Sequence, residues 1–154
     1  MKLLADSMLG SLGRWLRLLG YDTAIASSET DWQIVRQARA EGRVILTRDR
    51  ELARRRGVRT VLVLADDLDS QLAQAVHDLD LSQPQPGTRC LYCNEALQPA
   101  NRADVAGDVP PYVLQTQETF RRCPDCRRVY WRGTHWLKIE ERAAALQAIM
   151  NRST

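Results

Sequence analysis

Residues 41–49 read Glu-Gly-Arg-Val-Ile-Leu-Thr-Arg-Asp. Gly42 ends a helical pattern over residues 30–41, and residues 44–47 then form an unbroken apolar and β-branched run. A run of this kind, without polar alternation, marks a strand covered on both faces, as in parallel sheets. Asp49 follows two residues after it, at what would be the strand's carboxyl end, the edge where open parallel sheets bind ligands. Similar runs occupy residues 2–5, 23–26 and 60–64. Between them, Met8, Leu9, Leu12, Trp15, Leu16 and Leu19 make one helical stripe, with Gly20 placed as a C-cap. The pattern over 30–41 turns Ile34, Val35 and Ala38 inward, a short helix is expected over 50–56, and Leu68, Leu72, Val76 and Leu79 share one face of a fourth. This alternation predicts an α/β fold, a small parallel sheet covered by helices.

The 154 residues suit one ordinary domain or two small ones. With 44% hydrophobic and 27% charged residues, the composition excludes a disordered chain. No apolar run approaches the ~18–20 residues needed to span a membrane. Met1 to Asp6 carries no signal-peptide pattern, so a soluble cytoplasmic protein is expected. Residues 82–88, Ser-Gln-Pro-Gln-Pro-Gly-Thr, cannot continue a helix. They divide the chain into an α/β part, 1–82, a linker, 83–88, and a cysteine-bearing part, 89–154, whose last helix is marked by Ile139, Ala143, Leu146 and Met150. Residues 1–83 carry 12 basic and 12 acidic side chains, whereas 84–154 carry 10 and 7, so the net +3 lies in the second part. Twenty of the 22 basic residues are arginines. The planar guanidinium matches phosphate geometry, although GC-rich coding also yields arginine.

Asp6, Asp49 and the pair Asp66-Asp67 each follow a strand, and Asp31 opens the second helix. If their strands are neighbours, Asp6 and Asp49 converge on one edge. Carboxylates held close repel unless a cation lies between them, and oxygen ligands without histidine suit Mg²⁺ or Mn²⁺. Such an ion activates water and stabilises charge on a phosphoryl group. The plainer reading makes Asp6, Asp31 and Asp67 helix N-caps.

Cys90-Leu-Tyr-Cys93 and Cys123-Pro-Asp-Cys126 are two CxxC pairs with 29 residues between them. Two such knuckles complete a tetrahedral zinc site. Structural disulfides fit poorly with the absence of a secretion signal. Arg89, Arg121, Arg122, Arg127, Arg128 and Arg132 interleave with Tyr92, Tyr130, Trp131 and Trp136. This combination suits single-stranded nucleic acid; the aromatics equally suit the small core that a zinc ribbon needs. His135 and His77 read as surface or structural residues.

Together, Asp6-Ser-Met-Leu-Gly-Ser-Leu-Gly-Arg-Trp-Leu-Arg-Leu-Leu-Gly-Tyr-Asp22, Glu41-Gly-Arg-Val-Ile-Leu-Thr-Arg-Asp49, the two CxxC pairs and Tyr130-Trp-Arg-Gly-Thr-His135 resemble the Mut-seven C-terminal RNase domain family. The resemblance implies a PIN-like nuclease domain followed by a four-cysteine zinc ribbon and a C-terminal helix. It implies a ribonuclease that uses Mg²⁺ or Mn²⁺ on single-stranded or structured RNA, with structural Zn²⁺ on Cys90, Cys93, Cys123 and Cys126 and the ribbon assisting RNA binding. Asp6 and Asp49 would be the principal catalytic metal ligands, assisted by Asp31 and Asp67. Arg14, Arg17 and Arg48 would face the phosphate backbone, Arg14 and Arg17 from the exposed side of the first helix. The sequence departs from PIN nucleases in having Asp31 where a central glutamate is common. The alternative is a non-catalytic RNA-binding or adaptor protein on the same fold, with the aspartates as caps. A third reading makes the ribbon a docking module for another protein.

Overall fold

The computed structural model describes residues 1–27 and 29–152. Strands β1 (Lys2–Ala5), β2 (Asp22–Ile25), β3 (Arg43–Thr47) and β4 (Thr60–Leu62) form one parallel sheet in the order β2-β1-β3-β4. A 3₁₀ turn, Ser7–Leu9, leads into α1 (Gly10–Leu18), and α2 (Asp31–Glu41), α3 (Arg50–Ala53) and α4 (Leu68–Leu79) follow the next three strands. The expected fold is thus present, with small differences at the ends. The fourth strand stops at Leu62 and the short helix at Ala53, and Leu64 is exposed.

From β1 the chain steps to one side to form β2, then crosses back to form β3 and β4. Right-handed crossovers in opposite directions place helices on opposite faces. Accordingly Leu9, Leu12, Leu16 and Leu19 pack on Leu3, Ala5, Val44 and Leu46, while Ile34, Val35, Ala38 and Leu52 pack on Leu4 and Ile45. The switch in direction falls between β1 and β3, the place where sheets of this type open a crevice at their carboxyl ends.

The second part contains β5 (Gln98–Ala100), α5 (Arg102–Val105), α6 (Pro111–Thr116), β6 (Phe120–Arg122) and β7 (Val129–Tyr130), and ends in α7 (Trp136–Arg152). The three strands form an antiparallel sheet, β5-β6-β7. Its own core is small: Val105, Val109, Val113 and Phe120. By contrast α7 returns to the first part, where Ile139, Ala143 and Leu146 join the core of α1 and α4. Arg142 on α7 pairs with Asp69 at 2.6 Å and lies 4.0 Å from the centre of the Trp15 ring.

The proline-rich segment between the two parts is fastened along its length. Ser82 O accepts from Tyr21 Oη at 2.8 Å, and the amides of Gln85 and Gly87 donate to Leu19 O and Leu18 O at 2.8 and 3.2 Å. Gly20 permits this approach: its φ is +93°, and a Cβ there would strike the carbonyl of Gln85. Among the described residues no helix is long and apolar enough to cross a membrane.

Candidate active site and metal centre

Asp6 directly follows β1 and Asp49 follows β3, so the two stand side by side at the carboxyl edge, at the switch point of the sheet. Thr47, the last residue of β3, joins them. Its hydroxyl donates to Asp6 Oδ2 and accepts the backbone amide of Asp49 at 3.0 Å. Asp6 is only 4% exposed, and its Oδ1 accepts the amide of Met8 at 2.9 Å. Asp49 Oδ1 caps α3, accepting the amides of Glu51 and Leu52 at 2.7 and 3.3 Å. Its Oδ2 has no hydrogen-bond partner among the described residues. The edge therefore holds one buried, oriented carboxylate, and near it a second with one oxygen outside the cap.

Asp31 and Asp67 share this edge without joining the pair. Thr30, not Asp31, caps α2, in a reciprocal capping box with Gln33, while Asp31 lies 3.7 Å from Arg55. Asp67 caps α4 through the amide of Ser70 at 2.9 Å, and the Ser70 hydroxyl together with that amide holds its carboxyl below the usual range. Among the described residues, the four thiols are the one set of three or more His, Cys, Asp or Glu groups whose ligand atoms come within reach of a single ion.

The arginines divide in the same way. Arg14 is exposed and has no carboxylate partner among the described residues. Arg48 turns toward the loop after β4, donating to Ala65 O and to Asp66 Oδ1, both at 2.6 Å. Arg17 does not lie on the exposed side of α1, as its position off the apolar stripe suggests; it is 9% exposed. Its Nε donates to Thr23 O at 2.7 Å, and its Nη1 donates to Leu91 O and Tyr92 O at 2.9 and 3.0 Å. Burial is the main influence on this guanidinium and lowers its pKa. Arg17 is thus a clasp between the sheet and the first knuckle. Gly13, one turn earlier on the same face, is where α1 closes on Ala5 and Ile25.

Two features of the edge went unread in the sequence. Thr47 reads in the sequence as one more β-branched strand residue, although a hydroxyl ending a strand before Arg-Asp is placed to orient a carboxylate. Trp32, 66% exposed beside Asp31, has the Arg36 guanidinium 5.3 Å from its ring centre.

The two cysteine knuckles are built alike. Asn94 N bonds Cys90 O, and Arg127 N bonds Cys123 O, both at 3.0 Å. Asn94 and Arg127 each take a left-handed φ, 66° and 65°, which turns the chain back so that both thiols of a knuckle point the same way. The four Sγ atoms lie within 4.8 Å of one another, with Cys90 and Cys126 at 3.6 Å. Zinc–sulfur bonds of about 2.3 Å place tetrahedral sulfurs about 3.8 Å apart, so the donor set fits such an ion. The Tyr130 hydroxyl lies 3.1 Å from Cys90 Sγ and accepts the amide of Leu91 at 3.1 Å. Burial raises the Tyr130 pKa and keeps that phenol protonated, a donor that orients the ligand sulfur.

This knuckle covers the edge strand of the main sheet. Asn94 Oδ1 accepts the amide of Thr23, and Asn94 Nδ2 donates to Asp22, at 2.9 and 2.7 Å. Burial works against the Asp22 carboxylate, yet Arg43, Asn94 and Arg89 outweigh it and hold its pKa low. Because Asp22 begins β2, these contacts lie toward the end of the sheet opposite Asp6 and Asp49.

These features define a class: a parallel α/β sheet with paired carboxylates at its switch point, carrying a four-cysteine metal-binding ribbon. The model of the Mut7-C RNAse domain family matches residues 1–143, and the chain belongs to that family. At family level it is an RNase domain, with RNA as the substrate class. No curated protein and no solved structure matches the chain.

Proposed function

We propose that the chain is a divalent-metal-dependent ribonuclease acting at the Asp6–Thr47–Asp49 edge, with structural zinc in the four-cysteine centre. One observation carries this reading: Asp6 and Asp49 follow neighbouring strands at the switch point of the sheet, and the Thr47 hydroxyl ties the Asp6 carboxylate to the backbone amide of Asp49. Mg²⁺ or Mn²⁺ fits their oxygen donors, and such an ion would supply water activation and offset charge on the phosphoryl group. Thr47 and the amide of Met8 fix Asp6 in one orientation, and the α3 cap leaves Asp49 one oxygen for a cation. Arg14 is free to contact a phosphate, whereas Arg48 would first have to leave Asp66. Trp32 offers an unpaired base a ring at the same edge. Four free thiols suit a reducing compartment, the cytoplasm.

A second reading, RNA binding without hydrolysis, is favoured by the caps themselves. Asp6, Asp49 and Asp67 all accept backbone amides, which is sufficient reason for their presence. End-labelled single-stranded RNA incubated with Mn²⁺, Mg²⁺ or EDTA separates the two. Asp49→Asn keeps an acceptor for the cap and removes the charge, so cleavage should fall at least about a hundredfold, a loss of about 2.7 kcal/mol in transition-state stabilisation. Zinc content and melting temperature should hold. Undiminished cutting by both Asp49→Asn and Asp6→Asn would remove the site assignment; binding without cutting in either metal would favour the second reading.

A further inference from the structure

Where the linker, the ribbon and α7 meet, a cavity of about 140 Å³ opens toward solvent. Its wall carries the rings of Tyr130, Trp131 and Trp136 and the guanidinium-bearing side chains of Arg89, Arg121 and Arg132, with no acidic residue among its lining. Gly87 makes the shape possible, since a Cβ there would stand 2.8 Å from the Trp136 ring. A cavity of this volume accommodates one aromatic ring: an engineered cavity of about 150 Å³ holds benzene.

Two of the three cations around it lack partners of their own. Arg121 and Arg132 have no carboxylate or hydrogen-bond acceptor among the described residues; Arg132 lies 5.0 Å from the centre of the Trp136 ring. Arg89 Nε is buried without a hydrogen-bond partner, although the same guanidinium donates to Asn94 O at 2.7 Å and lies 4.0 Å from the Asp22 carboxylate. Buried unsatisfied donors are uncommon and require an explanation. An anionic ligand bearing one flat ring would satisfy the rings and the cations together.

We infer that this cavity holds one unpaired nucleotide of single-stranded RNA, its base against the tryptophans and its phosphate on Arg121 and Arg132. The inference rests on the reading of the chain as one that acts on RNA, but not on hydrolysis. The cavity also has a route to the carboxylate edge. Leu18 lines it at the end of α1, and the nine residues of that helix run back toward Asp6, a span of about 14 Å. Exposed Arg14 lies one turn before Leu18 on the same helical face, between the two sites. A strand anchored in the cavity would pass Arg14 on its way to Asp6 and Asp49.

The test uses the zinc-loaded full chain carrying Asp49→Asn, without added Mg²⁺ or Mn²⁺, and a six-nucleotide oligoadenylate. Replacing Arg121 and Arg132 together by alanine should weaken binding about tenfold, and the slope of log K against log salt should fall by about 1.4, the value for two lost phosphate contacts on a single strand. An abasic strand of the same length should also bind the parent about tenfold more weakly, because the rings have nothing to stack. Unchanged affinity in the double variant, or equal binding of the abasic strand, would overturn the inference. A 4-thiouridine oligonucleotide cross-linked to the unaltered chain gives an independent reading that does not depend on any variant folding. Cross-links within residues 130–136 support the cavity, and cross-links confined elsewhere overturn it. Cleavage with a silent cavity, or a binding cavity without cleavage, would separate this inference from the ribonuclease reading.

Discussion

Stripping the metal from the four-cysteine centre with a strong zinc chelator is expected to unfold residues 88–135 while leaving the parallel sheet and α7 folded. The ribbon holds few buried apolar side chains of its own, chiefly Val105, Val109, Val113 and Phe120, with Leu97 beside the thiols. Cys90 and Cys123 are fully buried, so without an ion their sulfurs face one another with nothing to bridge them. Structural zinc contributes about 10–16 kcal/mol in small modules, far more than so small a core supplies. The main sheet differs, because its strands are covered on both faces and α7 packs on α1 and α4 independently of the thiols. Hydrogen exchange distinguishes the two parts: amides of Phe120–Arg122 and Val129–Tyr130 should lose protection, while those of β1 and β3 should keep it. Retained protection in the ribbon after stoichiometric zinc release would show that the centre is not structural.

The second large effect is expected at Arg17. Replacement by methionine keeps the aliphatic stem but removes the donors to Thr23 O, Leu91 O and Tyr92 O. Each bond to a charged donor is worth about 1.5–3 kcal/mol, offset in part by the cost of burying the guanidinium. A net loss of about 3–4 kcal/mol of unfolding free energy follows, measured by urea denaturation of the zinc-loaded chain. Arg17→Lys should recover little of it, since a single ammonium cannot serve carbonyls on two segments at once. Arg14→Met should change stability by less than about 0.5 kcal/mol, as is usual for an exposed side chain without partners. Equal stability of the Arg14 and Arg17 variants would contradict the clasp.

The contrast between these neighbouring arginines shows where sequence reading stops. The strands were legible because Leu3-Leu4-Ala5 and Val44-Ile45-Leu46 are apolar on both faces, a local property. The two CxxC pairs were legible because their spacing alone closes a knuckle. Arg17 was not, since two of its three acceptors lie in a segment some seventy residues away, and helical periodicity only shows that it falls off the apolar stripe. Likewise Asp6 and Asp49 could be assigned to one edge only on the condition that their strands are neighbours. The order β2-β1-β3-β4 meets that condition, whereas Asp31 and Asp67 lie on the outer flanks as a helix-start residue and a cap. The position of the ribbon, over the edge of β2 and toward its amino end, depends on Asn94 reaching Asp22 and Thr23. No local pattern encodes that contact.

The central claim, that Asp6 and Asp49 hold a divalent ion, can be measured before any RNA substrate is known. In an amide NMR spectrum of the zinc-loaded chain, about one equivalent of Mn²⁺ broadens signals close to its site. The expected result is selective broadening of Met8, Thr47, Asp49, Glu51 and Leu52, abolished by Asp49→Asn with zinc retained. Broadening confined to Asp66–Asp69, or none near Asp6 and Asp49 at millimolar Mn²⁺, would contradict it and leave both carboxylates as helix caps.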